Sequence, residues 1–272
     1  MNMLGPYHLI QPPLEGGYGR VYKAIRHDRP GEYFAVKVPM DPNNPSHVER
    51  LRKEIQANRR VSHPNILKLV EANPAADPPF AVYRFLAGGD LSQRVGKLPL
   101  QTCLYVLYQV CAALQAIHAR GGFHRDVKPA NLLVEADGSI VLADLGMATV
   151  PGTASTHTRN VAGTPGYIDP FAVNQQFDAT SDIWSVGVTF AEILTGRPPA
   201  QIVNAEHHLA LTAGHMRSGN PKTDEYLLRL MRSMLHPVRR LRPSAQTIMR
   251  YAWVLVEGGQ LPALNVPEQQ PA

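Results

Sequence analysis

Residues 123–134 read FHRDVKPANLLV, an Arg-Asp pair, a Lys-Pro pair and an asparagine set just ahead of a short apolar run. Asp126, Lys128 and Asn131 fall in a loop, because Gly121-Gly122 closes the segment before them and Leu132-Leu133-Val134 reads as a strand after them. Flanked by Arg125 and Lys128, the Asp126 carboxylate is expected to remain ionised.

Upstream of this loop, Leu100, Cys103, Leu104, Leu107, Val110, Cys111, Leu114 and Ile117 recur at helical spacing and mark one apolar face, which stops at the double glycine. Downstream, Asp144-Leu145-Gly146 follows a second short strand. Residues 180–195 form another helix, apolar on nearly all sides and therefore central, stopped by Gly196 and Pro198-Pro199. The later part of the chain is thus mainly helical.

The earlier part is β-rich. Val21 and Tyr22 lie in one strand and residues 33–38 in the next, separated by a turn-like segment at 27–31. Ser46 and Glu49 then form a capping box, and Val48, Leu51 and Ile55 continue a helix to about Arg60, ended by His63-Pro64. Residues 66–70 and 80–85 read as two more strands, followed by Gly88-Gly89 as a flexible joint. The expectation is an α+β chain of two lobes with a cleft between them: a β-rich lobe at 1–86, an α-rich lobe at 87–257 and a frayed Pro/Gln-rich tail at 258–272.

Composition narrows the class. With 272 residues, 44% hydrophobic and 18% charged, the chain is globular, which excludes wholesale disorder, collagen and coiled coil. Its 24 prolines, above a usual share of about 5%, predict stiff loops. Two cysteines, Cys103 and Cys111, are too few for a thiolate zinc site or a disulfide framework, so a reducing, cytoplasmic setting is expected. The net charge of +5 is spread without any run of five Lys/Arg or interleaved aromatics, so no nucleic-acid partner is expected. Residues 1–13 lack a charged region followed by an apolar core, and the apolar stretch 186–194 is broken by Glu192. Neither a signal peptide nor a membrane span is expected.

Residues 14–21, LEGGYGRV, join two strands through Gly16, Gly17 and Gly19, whose missing side chains let backbone N–H groups approach a phosphate. A glycine cluster of this kind is, on its own, more often a hairpin turn. Lys37 ends a buried strand, where an ammonium needs an anionic partner, and Glu54 lies beside the apolar face of the capped helix.

Taken with these, the loop at 123–134 resembles the catalytic loop of the eukaryotic-type (Hanks-type) serine/threonine protein kinases. Its six matched positions, His124, Arg125, Asp126, Lys128, Pro129 and Asn131, would meet by accident with a chance on the order of one in a million. Asp144-Leu145-Gly146 is similar to the family's metal-binding Asp-Phe-Gly, with leucine for phenylalanine. Residues 163–167 resemble the substrate-docking end of the activation segment, and 181–187 the start of the central helix of the large lobe. The likeness extends from about Tyr7 to Val256. The retained Lys128 and Thr164 point to Ser/Thr rather than Tyr specificity, since in the family such a threonine hydrogen-bonds the catalytic aspartate.

The resemblance implies a bilobal protein-kinase-like fold and transfer of the γ-phosphate of ATP to protein hydroxyls, with Mg²⁺ as the metal and Mn²⁺ able to stand in. Such a reaction asks the protein chiefly for positioning and charge neutralisation. By carry-over, Lys37 contacts the α- and β-phosphates, Glu54 orients Lys37, and Asn131 with Asp144 holds the metal. Asp126 orients the substrate hydroxyl and accepts its proton, while Lys128 neutralises the γ-phosphate. Leu14, Gly16, Gly17, Gly19 and Val21 belong to the phosphate loop and roof, Ala35 and Leu133 to the adenine pocket, Phe85 and Leu86 to the hinge, and Asp90 to the ribose. Tyr83 guards the back pocket. Thr153, Ser155, Thr156 and Thr158 are candidate phosphorylation sites, with Arg125 and Arg50 as their cationic partners.

Three departures from the family pattern are expected to matter. Leu14 replaces the first loop glycine, which predicts weakened ATP binding. Asn58 occupies a normally apolar place in an internal hydrophobic stack, so it requires a buried polar partner or leaves the helix loosely docked, with activity then depending on self-association or a regulatory partner. Phe171 replaces the glutamate that normally pairs with an arginine matching Arg242, so either Asp169 takes its place or Arg242 reaches solvent. These departures keep a second reading open, a nucleotide-binding pseudokinase acting as a scaffold. A third, a small-molecule kinase, is opposed by Lys128-Pro129 and by residues 163–167.

Overall fold

Apolar and polar residues alternate along two adjacent segments and build a long hairpin from strands β4 (Gly19–Arg26) and β5 (Arg29–Pro39). Arg26 faces Arg29 across His27-Asp28, so the turn is tighter than the 27–31 segment expected, and Gly31 with its positive φ already lies in β5. Before the hairpin come β1 (Met3–Leu4), β2 (Tyr7–Leu9) and β3 (Leu14–Gly16); after it come helix α1 (Pro45–Arg60), β6 (Leu69–Asn73) and β7 (Phe80–Arg84). The structure, a computed structural model, describes residues 3–16, 19–149, 163–172, 177–199, 209–210, 213–214 and 219–256.

The strands form one antiparallel sheet in the order β1-β2-β4-β5-β7-β6, with β3 pairing the first residues of β4. Its two faces have different fates. On one, Tyr7, Ala24, Phe34, Val36, Val38, Phe80 and Val82 close into a core, with Tyr7 edge-on to Phe34 at 5.4 Å and to Phe80 at 6.4 Å. On the other, Val21 pairs with Lys37 and Ala35 with Tyr83, and α1 covers only the end nearest Leu51 and Ile55. Val21, Ala35 and Lys37 are left half-buried.

Helix α1 is capped two residues before the capping box expected at Ser46. Asn44 is the cap, its side chain accepting from the Ser46 amide at 2.9 Å, and Pro45 opens the first turn, where its missing N–H costs nothing. The strand expected at 66–70 is also displaced. Ile66 makes only an isolated bridge to Leu142, and regular pairing starts at Leu69.

Beyond β7 a 3₁₀ turn (Leu91–Arg94) leads to α2 (Leu100–His118), the short ribbon β8 (Leu132–Val134) and β9 (Ile140–Leu142), then α3 (Ala179–Thr195), α4 (Pro221–Met234) and α5 (Ala245–Val256). By length and composition alone α2 is apolar enough to cross a bilayer, but Cys103, Leu107, Val110, Cys111 and Leu114 are buried in the shared core with Ile183, Trp184, Ile248 and Ala252. Each such side chain contributes about 1.5 to 3 kcal/mol by leaving water. Gly196 ends α3 at φ 71°, the left-handed cap that glycine allows without strain.

The joint at Gly88-Gly89 is more closely packed than its sequence suggests. A Cβ on Gly88 would lie 2.4 Å from the Val134 carbonyl oxygen, and Arg94 donates to the Gly88 carbonyl at 2.8 Å. Gly88 is required for close approach, while Gly89, at φ 67°, supplies the turn.

Candidate active site

The loop that carries Asp126 is suspended from α3. Asp182, 1% exposed, accepts from the backbone N–H groups of His124 and Arg125, both at 2.8 Å, and meets the His118 ring nitrogen at 2.8 Å. Burial works against the Asp182 carboxylate, but His118 and these donors outweigh it and hold its pKa below the usual aspartate value. Thr189 Oγ1, two turns further along the helix, donates to the Val127 carbonyl at 3.2 Å. Between them Ser185 donates to the Tyr167 carbonyl at 2.8 Å. Asp182, Ser185 and Thr189 therefore form a polar stripe at helical spacing on a helix that is otherwise core.

Three side chains converge on Asp126, among them the Thr164 hydroxyl expected there. Thr164 Oγ1 donates to one carboxylate oxygen at 2.7 Å, and Lys128 Nζ reaches the other at 2.9 Å and Thr164 Oγ1 at 2.5 Å. Asn131 Nδ2 donates to the Asp126 carbonyl at 2.7 Å and to its carboxylate at 3.1 Å. With the amide nitrogen so committed, the side-chain oxygen is the Asn131 atom that can serve as a ligand. Arg125 and Asp144 take positive φ angles of 73° and 61°. Strain of about 1 to 3 kcal/mol at each is the kind concentrated at functional sites.

Lys37 lies between two carboxylates. Its Nζ is 2.6 Å from Glu54 Oε2 and 3.2 Å from Asp144 Oδ1. Burial disfavours the ammonium, yet Asp144 and Glu54 outweigh it and hold the lysine pKa above its ordinary value. At Asp144, burial is likewise overcome, by Lys37 and by Arg50, and the carboxyl titrates well below the usual range. Glu54 goes the other way: burial outweighs Lys37 and pushes its pKa up. Behind it, Tyr83 Oη donates to Glu54 Oε1 at 2.8 Å, and Asn58 Nδ2 reaches the Glu54 carbonyl at 3.1 Å and the Tyr83 hydroxyl at 3.4 Å. The buried polar partner that Asn58 requires is thus Tyr83.

Among the described residues no three His, Cys, Asp or Glu side chains converge as a metal cage. Asp144 and Asn131 nevertheless fit a magnesium ion held in the usual way, by one or two hard protein oxygens with phosphates and water completing the shell. Leu145 is 1% exposed and fills the core as the expected apolar substitute. Gly146 donates its N–H to Asp144 at 3.2 Å, and a Cβ there would lie 3.1 Å from Arg50 Nε.

Of the phosphate-loop residues, Gly16 pairs with Gly19 at the hairpin end, and Leu14 pairs with Val21 while its side chain is 76% exposed. A Cβ on Gly19 would meet the Val38 carbonyl at 2.9 Å and Lys37 Cε at 3.2 Å, so glycine there leaves room for the lysine. Gly17 lies outside the described residues. Val21 and Ala35 share the half-buried sheet face with Lys37, and Leu133 sits in β8 opposite Val141, bridged to Asp90. Phe85 and Leu86 follow β7 directly, and the Phe85 N–H donates to Tyr33 at 3.1 Å. Asp90 caps the 3₁₀ turn, one oxygen accepting from the Ser92 amide at 2.8 Å.

Arg242 is not solvated: Asp169 binds it at 2.7 and 2.9 Å, and Asp169 also takes Arg239 at 3.2 Å. Phe171 turns outward, edge-on to Trp184 at 5.6 Å. Thr153, Ser155, Thr156, Thr158 and the tail 258–272 lie outside the described residues. Of their expected cationic partners, Arg125 sits over the Phe177 ring at 4.8 Å, and Arg50 is turned toward Asp144 at 4.0 Å.

Sequence reasoning missed the roles of His118, Asp182, Ser185 and Thr189. A signal was present, since Asp182, Ser185 and Thr189 recur at spacings of three and four on a largely apolar helix. It also missed what the hydroxyl of Tyr83 does, for which nothing local gave a sign.

A family model described as "Protein kinase domain" matches residues 14–254. The chain is 36% identical over 209 residues to "CBL-interacting protein kinase 12" of Oryza sativa subsp. japonica, covering 73% of this chain and 38% of that protein. It is 32% identical over 264 residues to "Mitogen-activated protein kinase kinase kinase 3" of Arabidopsis thaliana, covering 88% of this chain and 39% of the relative. Against "Serine/threonine-protein kinase 36" of Pongo abelii the identity is 33% over 198 residues, covering 71% of this chain and 15% of the relative. The chain therefore spans well under half the length of these three relatives.

Proposed function

The chain belongs to the protein kinase domain family, and from that premise we propose that it is a serine/threonine kinase transferring the γ-phosphate of Mg-ATP to protein hydroxyls. The observation that carries this reading is the set of contacts at Asp126. Its carboxylate is bound at both oxygens, by Thr164 on one side and by Lys128 and Asn131 on the other, and is thereby aimed rather than merely present. Relatives named as serine/threonine kinases support the same specificity.

The roles follow from position. Lys37, held between Glu54 and Asp144, presents its ammonium to the α- and β-phosphates of ATP. Val21, Ala35 and Leu133 offer apolar surface to adenine. Asn131 and Asp144 would hold the magnesium ion, which when bound neutralises charge on the phosphates. Asp126 orients the acceptor hydroxyl and takes its proton late in transfer, and Lys128 neutralises the migrating phosphoryl group. Autophosphorylation within 147–164 and a cytoplasmic setting belong to the same proposal. So does a regulatory partner, although Asn58 already has its polar contacts within the chain.

Two of the three departures that motivated a scaffold reading are answered inside the fold, Asn58 by Tyr83 and Phe171 by Asp169. The test is incubation with γ-labelled ATP, magnesium and a general protein acceptor, followed by hydrolysis to phosphoamino acids. Label on serine or threonine is expected. Label found solely on tyrosine, solely on a small molecule, or at the level of Asp126→Asn would overturn the proposal.

A further inference from the structure

Tyr83 stands on β7 with 3% of its surface exposed, among Leu51, Ile55 and Ala81 under α1. A phenol buried there without a partner would be costly, and phenylalanine would pack as well. The hydroxyl instead donates to Glu54 Oε1 at 2.8 Å, while Glu54 Oε2 receives Lys37 Nζ at 2.6 Å. The two oxygens of one carboxylate are thus held from opposite ends by groups on different strands. Rotating the carboxylate to release either partner breaks both bonds. Asn58, one turn beyond Glu54 on α1, completes the arrangement by donating to the Tyr83 hydroxyl and to the Glu54 carbonyl.

We propose that Tyr83 is a positioning residue for phosphate transfer, its hydroxyl fixing the Glu54 carboxylate and through it the Lys37 ammonium, with Asn58 holding the hydroxyl in line. This rests on the function proposed above, in which Lys37 meets the nucleotide phosphates. It gives Tyr83 a task beyond filling the space behind the nucleotide. It also accounts for a polar residue at position 58. An apolar side chain there would leave the Tyr83 oxygen, already committed as a donor, without a donor of its own.

The experiment is a double-variant cycle on the full chain with two readouts, transfer of labelled phosphate to a protein acceptor and binding of Mg-ATP. Tyr83→Phe keeps the ring and removes only the hydroxyl. It is expected to lower kcat/KM for ATP about tenfold, the value of one hydrogen bond to a charged group, and to weaken Mg-ATP binding. KM for the protein acceptor should hold. In a Glu54→Gln background, where the oriented carboxylate is already lost, the same change should have less than about a twofold effect. Tyr83→Phe that matches the unmodified chain in ATP dependence, or effects that simply multiply in the double variant, would overturn the proposal. If the unmodified chain transfers no phosphate, the proposed function fails, while the Mg-ATP binding cycle still decides for or against Tyr83. Should Tyr83→Phe fold poorly, Asn58→Leu, expected to weaken Mg-ATP binding in the same direction by a smaller factor, decides in its place; no change there would overturn the proposal.

Discussion

Asp169 binds Arg242 through both carboxylate oxygens, at 2.7 and 2.9 Å, and neither side chain touches solvent. The guanidinium also donates to the carbonyls of His236 and Thr180, at 2.8 and 2.9 Å, so its charge is matched and most of its donors are used. This links the segment after Thr164 to the base of α3 and to the loop before α5. A partner two positions earlier in the chain has taken over where position 171 carries phenylalanine.

Removing that partner should be expensive. Asp169→Ala leaves Arg242 buried without a counter-charge and is expected to cost about 3 to 5 kcal/mol. Phe171→Ala loses one edge contact with Trp184 and should cost about 1 kcal/mol. Urea denaturation of the two variants checks the order; equal losses would contradict the assignment.

Thr164 is expected to act on turnover rather than on nucleotide binding, since it touches Asp126 and Lys128, the pair placed at the transferring phosphoryl group, and none of the residues placed around the adenine, the ribose or the α- and β-phosphates. Thr164→Val should lower kcat by about tenfold to a hundredfold with KM for ATP unchanged, whereas Thr164→Ser, which keeps the hydroxyl, should stay within about twofold. Steady-state kinetics with varied ATP separates the two parameters. A Thr164→Ser variant as slow as Thr164→Val would show that the hydroxyl is not the working group.

Asp182 predicts a pH dependence with a definite sign. Its folded pKa lies below the ordinary value, so the stability it contributes is present above the unfolded aspartate pKa and is lost as pH falls through the folded pKa. Between about pH 5 and pH 2 the unmodified chain should therefore lose more stability than Asp182→Asn. At neutral pH the variant should be the weaker of the two and slow in phosphate transfer, because an amide cannot accept from both His124 and Arg125. Parallel pH profiles of unfolding would contradict this.

The two glycines at the joint should behave differently although they are neighbours. Gly88→Ala places a Cβ 2.4 Å from a backbone oxygen of β8 and is expected to cost about 1 to 3 kcal/mol and to weaken ATP binding by shifting β8. Gly89→Ala meets open space and suffers only the left-handed strain of about 1 to 2 kcal/mol. Thermal midpoints alone do not separate them; loss of ATP affinity confined to Gly88→Ala does.

What the sequence made legible was local or nearly so. The loop at 123–134 and the Asp144-Leu145-Gly146 turn carry their chemistry in a few adjacent residues, and α2 and α3 announce themselves by period. Legibility fails where partners are far apart in the chain. Ile66 looks like a strand residue, but its N–H goes to His63 and its neighbours Asn65 and Leu67 pair with Leu142 in one isolated bridge, so no regular ladder forms there. Asn44 displaced Ser46 as a cap because Pro45 suits the first helical turn, a competition decided by one residue. The choice between Asp169 and solvent for Arg242 was visible as a choice; only the packing of α3 against the loop before α5 resolved it. The bond from Tyr83 to Glu54 joins a strand to a helix across 29 positions, and no pattern in either segment encodes it.

The account stands most directly on one comparison of phosphate transfer from ATP to protein by the unmodified chain, Lys37→Met and Asp126→Asn, each shown to be folded. The chain should transfer label, and each substitution should slow it by about a thousandfold, the scale of losing one member of a catalytic set. Equal incorporation by all three proteins would contradict the placement of catalysis at Lys37 and Asp126, and with it the proposed activity.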